Sequence, residues 1–206
     1  MTVKKTLSQK KKEAILEAAI AEFKNNGFKY TSMDKISNRA EVSKRTVYNH
    51  FASKEILFNT ILTDMWNKGL AATEYPFSNE LTLEKQLMDI AYQEVALLNS
   101  DGFLSLSRVL LAEYFNNETL AKQGMEKFAQ AEGGLTRWIK EAIAVNKLTI
   151  DNPDFAATQF ISLIKAFAFW PQVMGHAPFP DEEQQKRVIG SAVEMFLKQY
   201  QTEQSN

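Results

Sequence analysis

The 206-residue chain has no cysteine, two histidines and five prolines. Without cysteine there are no disulfides, no thiolate metal sites and no thiol nucleophile, which suits a reducing cytoplasm. The histidines, His50 and His176, are far apart in sequence, so no zinc site with paired imidazoles is expected. His176 falls in a Gly/Pro loop with no cluster of ligands around it. No Gly-rich phosphate loop follows a strand pattern, and no Gly-x-Ser-x-Gly elbow occurs. The expectation is therefore no enzyme, no metal and no cofactor. No apolar run reaches the length of a membrane span, and the polar, basic N-terminus has no apolar export core. A cytoplasmic protein with no membrane partner follows. No alternation of period two persists, and there is no internal repeat. A 45% hydrophobic chain with so few prolines reads as mostly helical, long enough for one small and one larger domain.

What is present is charge, unevenly placed. The net charge of −1 conceals a basic end: residues 1–54 hold 12 Lys and Arg against 5 Asp and Glu, and the remaining residues hold 12 against 20. A basic head on an acidic body is the footprint of a protein that meets nucleic acid at one end. Lys4, Lys5, Lys10, Lys11 and Lys12 read equally well as a solvated tail or as an arm touching phosphates or the minor groove.

Within that head, Ser43-Lys44-Arg45-Thr46-Val47-Tyr48-Asn49-His50-Phe51 reads as a short helix that lies in the major groove of DNA. Ser43 is a good N-cap. At about 100° per residue, Val47 and Phe51 face the protein, while Arg45, Asn49 and Thr46 face outward. Lys44 and Tyr48 form one flank and His50 the other. Central hydrogen-bonding groups suit base edges, and flanking donors suit phosphates. The segment before it completes a helix-turn-helix. Thr31 or Ser32 caps a helix whose Met33, Ile36 and Ala40 point inward, Glu41-Val42-Ser43 makes the turn, and Val42 fills the corner. A longer helix, about Gln9 to Asn25, precedes them with an apolar stripe of Ala14, Ile15, Ala18, Ala19 and Phe23, and Gly27 is its stop. The DNA-contacting set expected from this arrangement is Thr31, Ser32, Lys44, Arg45, Thr46, Tyr48, Asn49, His50 and Lys54.

The stretch Ala14 to Leu57 resembles the N-terminal domain of the tetracycline-repressor (TetR/AcrR) family of bacterial transcription regulators. The matching pieces are Ile15-Leu16-Glu17-Ala18-Ala19, Phe23, Gly27, Tyr30-Thr31-Ser32, Ile36, Ala40, Val42-Ser43, Thr46-Val47-Tyr48, His50-Phe51 and Ser53-Lys54-Glu55. Two positions depart from the pattern: Glu41 and Arg45 stand where many members carry glycine. A left-handed backbone at Glu41 costs roughly 1–2 kcal/mol. Arg45 places a bidentate donor where the pattern often has no side chain.

The rest of the chain reads as helices, giving about nine in an all-α fold. Ser53 caps one to about Thr73, with Ile56, Leu57, Ile61, Met65 and Leu70 inward. Others cover about Glu80–Leu98, Phe103–Phe115, Glu118–Asn146, Pro153–Met174 and Asp181–Tyr200. The helix from Pro153 is apolar nearly all round, so it is buried on more than one side, partly against another chain. The resemblance implies dimerisation through the last two helices, and Phe160, Phe169, Val173, Val193 and Phe196 are the candidate interface residues. It also implies a small-molecule pocket among the fifth to eighth helices. Tyr92, Phe103, Arg108, Tyr114, Trp138, Phe167 and Trp170 are its candidate lining, although each aromatic fits ordinary core packing too. Arg108 needs a partner, either Glu113 or an acidic ligand.

The domains expected are a helix-turn-helix DNA-binding domain over 1–52 and a ligand-binding and dimerisation domain over 53–206. The partners expected are a double-stranded operator, a small-molecule effector and a second copy of the chain. The function implied is a ligand-responsive repressor released from a twofold-symmetric operator by an apolar or aromatic effector. An activator, or a DNA-packaging protein without an effector, would use the same head.

Overall fold

The computed structural model describes residues 6–100, 102–130 and 133–202. Lys4 and Lys5 lie outside them. Among the described residues the regular structure is helical, apart from an isolated bridge between Leu148 and Gln201. Two compact units divide the chain: Met1–Asn67 with Ser105–Ala121, and Lys68–Leu104 with Lys122–Asn206.

The first unit begins with α1 (Leu7–Tyr30). A reciprocal cap starts it: the Gln9 N–H donates to the Thr6 hydroxyl (3.2 Å) and the Thr6 N–H to Gln9 Oε1 (2.7 Å). Lys10, Lys11 and Lys12 therefore ride exposed on a capped helix. Gly27 breaks the helical path at φ 71°, a conformation that glycine adopts without steric cost. Next come α2 (Met33–Arg39), α3 (Lys44–His50) and α4 (Lys54–Ala72). Ile15, Ala18, Ala19, Phe23, Met33, Ile36, Val47, Phe51, Leu57, Phe58 and Ile61 form their common core. Phe23 meets Phe58 edge-on at 5.1 Å, a contact that adds about 0.5–1.5 kcal/mol beyond its buried area. Ile56, expected inward, is half exposed: Phe58 takes the core side of α4 in its place.

The second unit is built from α5 (Leu83–Leu98), α8 (Gly134–Ala144), α9 (Pro153–Ala168) and α11 (Glu182–Tyr200), which share one core centred on Trp138, Phe160 and Leu87. Between these elements run α6 (Phe103–Asn116), α7 (Glu118–Gln130) and the short α10 (Trp170–Gly175). The division between units falls within α4, α6 and α7.

Two expected helices are each interrupted. Glu118–Asn146 divides into α7 and α8, with Gly133 extended as the cap of α8. Gly134 is there for a steric reason: a Cβ would come within 2.3 Å of the Thr73 carbonyl oxygen. We expect Gly134→Ala to lower unfolding stability by about 1–3 kcal/mol, the usual cost of overpacking, read as a lower urea midpoint by circular dichroism. An unchanged midpoint would mean that α8 does not press on Thr73. The second interruption is at Phe169, between α9 and α10. Pro171 has no N–H to offer the Phe167 carbonyl four residues back. Gln172 Nε2 donates to that carbonyl instead (3.1 Å) and to the Pro178 carbonyl (3.0 Å), which fixes the following loop. His176 ends α10 in the left-handed conformation, at φ 52°.

Candidate nucleic-acid interface

The turn before α3 is held by backbone bonds from Ala40 N–H to the Ile36 carbonyl (2.9 Å) and from Val42 N–H to the Ser37 carbonyl (3.1 Å). They force Glu41 to φ 54°. That strain, about 1–2 kcal/mol for a residue with a Cβ, is what a glycine here would relieve. Ser43 caps α3: its hydroxyl accepts the Thr46 N–H (3.2 Å) and lies 2.8 Å from the Thr46 hydroxyl. Val47 is fully buried and Phe51 nearly so. Arg45, Tyr48 and Asn49 are exposed, and Thr46 and His50 are partly covered. A single helix thus has a back fixed in the core and a front of donors and amides.

The surrounding side chains fall into two groups. Ser32 is exposed and caps α2, accepting the Lys35 N–H at 3.2 Å. Lys44 is exposed at the start of α3, where the Asp34 carboxylate pairs with its ammonium (2.7 Å) and holds it above its usual pKa. Thr31 is a correction. It is buried, and its hydroxyl is directed at the Gly27 carbonyl (2.8 Å) and the Glu22 carbonyl (3.1 Å). Its hydroxyl closes the end of α1 and is covered by the protein itself. Lys54 also has internal work. Its ammonium donates to the Phe28 and Thr31 carbonyls (2.8 and 3.0 Å) and sits 4.3 Å from the centre of the Phe28 ring. The Ser53-Lys54-Glu55 motif therefore fastens α4 to the end of α1: Ser53 Oγ accepts the Ile56 N–H, and Lys54 donates to the Phe28 and Thr31 carbonyls at that end. Behind α2, the buried Glu22 carboxylate accepts from Arg39 Nε (2.6 Å) and Asn26 Nδ2 (2.8 Å), tying α1 to α2.

Of the candidate ligand residues, Arg108 and Tyr114 belong to the first unit and the others to the second. Burial raises the Tyr114 phenol's pKa above its usual value. Phe103 is partly covered and Tyr92 lies at the surface. Trp138 is a core residue, fully buried, with Nε1 donating to Gln86 Oε1 at 2.9 Å. Trp170 is at the surface against Phe169. Phe167 lines an open groove of about 680 Å³ formed by α9, α10, the following loop and α11.

The candidate dimer residues need correcting. Phe160, Val173, Val193 and Phe196 are buried within the protomer, and the Phe160 and Phe196 rings meet edge-on at 5.4 Å. Side chains already covered by their own chain offer no contact surface. Of the five, only Phe169 is partly open. The exposed apolar side chains of α9 to α11 are Phe155, Phe167, Trp170, Met174 and Met195. On α11, Gln184, Val188, Ser191 and Met195 recur at helical spacing and line the groove; being half polar, that face gives Met195 only a weak signal in the sequence. Asp34, Lys44's partner, was also missed. In sequence it reads only as a favourable charge at a helix start.

Known proteins align with both parts of the chain. The family model described as bacterial regulatory proteins, tetR family, matches residues 15–61. The model described as the C-terminal domain of AefR-like transcriptional repressors matches residues 85–202. The crystal structure of a TetR family transcriptional regulator from Pseudomonas syringae pv. tomato is 40% identical in sequence, with a TM-score of 0.80 over 92% of this chain and 96% of that one. The flavonoid-responsive regulator FrrA is 28% identical, with a TM-score of 0.75 over 94% of this chain and 98% of that one. The HTH-type transcriptional regulator YhgD of Bacillus subtilis is 42% identical over 59 residues, 29% of this chain and 31% of that protein.

Proposed function

The chain belongs to the TetR family of bacterial regulatory proteins, and from that premise we propose that it represses transcription from a twofold-symmetric operator and is released by a small aromatic effector. It is a DNA-binding transcription regulator and not an enzyme. The observation that carries the reading is the division of α3: Arg45, Tyr48 and Asn49 exposed in front, Val47 and Phe51 buried behind. A rigid scaffold with its donors outward is what groove recognition requires.

In this reading residues 1–52 meet DNA, and residues 53–206 hold the effector and the second copy. Residues Ser32, Lys44, Arg45, Thr46, Tyr48, Asn49 and His50 make the DNA contacts, and Lys54 holds the end of α1 behind them. No single described helix is long and apolar enough to cross a membrane, and the protein works in the cytoplasm where the operator is. The likeness to AefR-like transcriptional repressors supports repression. The likeness to a flavonoid-responsive regulator supports an aromatic effector bearing hydroxyl or acidic groups, with Arg108 and Tyr114 as its polar contacts. The effector binds better to a head spacing that mismatches successive major-groove faces, and by linkage it weakens DNA binding. The test is to titrate the complex of the protein with a duplex selected from a random pool with flavonoids and simple aromatic acids. Release by any of them supports the reading. Retention against all of them, or transcription in vitro that rises when the protein is added, contradicts it.

The second copy seats on the exposed apolar face of α9 and α11. Phe167 and Met195, each 55% exposed, lie on that face and line its groove. We expect Met195→Glu to raise the dimer dissociation constant about tenfold or more, as for loss of a central apolar anchor, measured by sedimentation equilibrium. An unaltered constant would place the interface elsewhere.

A further inference from the structure

Lys44 is the first residue of α3 and is among the residues proposed to meet phosphates. In the structure its ammonium is already engaged, 2.7 Å from Asp34 Oδ1 and 3.0 Å from Oδ2. Asp34 lies in the first turn of α2. Both side chains are more than half exposed, at 58% and 61%, so the pair sits in water. An exposed ion pair of this kind is weak, because water and salt screen it. A DNA phosphate can therefore displace the carboxylate, but doing so strands a negative charge beside a polyanion.

We propose that Asp34 is a brake on DNA affinity: it holds Lys44 in the free protein and must release it to a phosphate on binding. The proposal rests on the DNA-binding reading of α3. It makes Asp34 a positioning residue that acts through Lys44. The brake does not depend on sequence, because phosphates carry none. It also has a signature in salt dependence. A lysine that meets a phosphate releases a condensed cation from DNA, which adds about 0.9 to the slope of log affinity against log salt. With Asp34 present, the stranded carboxylate gathers a cation as that one leaves, and the two changes nearly cancel. With Asn at position 34, the release stands alone.

The experiment uses the full chain, a duplex recovered by selection from a random pool, and a scrambled duplex of the same length. Binding is followed by fluorescence anisotropy from about 50 to 300 mM KCl, where the salt dependence is steep. Asp34→Asn is expected to tighten both duplexes by about two- to fivefold at the lowest salt, the worth of one exposed pair. It is also expected to steepen the slope by about one. In a Lys44→Met background the same substitution leaves the slope where it was. Asp34→Ser, which keeps a short oxygen at this turn, reproduces the effects of Asn, and the melting temperature checks that neither variant has loosened α2. Wild-type binding with an Asp34→Asn slope that does not change overturns the proposal, as does equal steepening with and without Lys44. If the wild-type chain binds neither duplex, the DNA-binding reading fails first, and the brake fails with it.

Discussion

Arg45→Ala is expected to weaken binding to the selected operator by about 1–3 kcal/mol for each half-site and to relax base preference at one position in each. Arg45 is exposed one turn before Asn49, on the face opposite the buried Val47, so its guanidinium is available to the edge of a guanine. A bidentate donor of that kind discriminates, because a wrong base leaves part of the fork unpaired. A lysine retains the charge but not the fork, so Arg45→Lys should restore most random-sequence binding and little of the preference. Tyr48→Phe provides the contrast: removing a hydroxyl assigned to a phosphate should weaken operator and scrambled DNA alike. Equal losses for Arg45→Ala on the two duplexes would reduce Arg45 to a charge.

Gln86→Leu is expected to destabilise the second unit by about 3–5 kcal/mol, because several buried polar groups lose their partner together. Gln86 is fully buried on α5. Its Oε1 accepts the Ser78 N–H (2.8 Å) and Trp138 Nε1 (2.9 Å), and its Nε2 donates to the Ser78 carbonyl (2.8 Å) and the Leu81 carbonyl (3.1 Å). One amide thus closes the loop before α5 and satisfies the largest side chain of the core. Leucine fills much the same volume, so the loss isolates hydrogen bonding from packing. A lower urea midpoint with an unchanged slope checks it. Wild-type stability would mean that water or a backbone shift replaces the amide.

The helix-turn-helix was legible because each part of it is local. Ser43 announces a helix start, Val47 and Phe51 recur one turn apart, and Glu41 stands where only a left-handed residue fits. What could not be read was how distant segments use the same residue. Thr31 and Lys54 look like surface donors until the end of α1 arrives to take their hydrogen bonds. On α9 and α11, periodicity shows two apolar faces but not which one the protomer keeps. Phe160 and Phe196 went inward, and Phe167 and Met195 remained outside. Trp138 resembled a ligand contact because a large aromatic with one polar atom suits either role. Its partner Gln86, 52 residues earlier, decided the matter. The breaks at Gly133 and Phe169 were weakly signalled by Gly-Gly and by Pro171, and the contacts that explain them, with Thr73 and with Gln172, are tertiary or follow the break.

The outward face of α3 is expected to read DNA sequence. Selection of duplexes by the full chain from a random pool, followed by titration of the enriched and scrambled sequences at physiological salt, tests it most directly. Selection is expected to enrich a twofold-symmetric sequence, bound far more tightly than its scrambled form and losing most of that advantage with Arg45→Ala. A pool that stays random after selection, with wild-type protein and Arg45→Ala indistinguishable on every duplex, would contradict it.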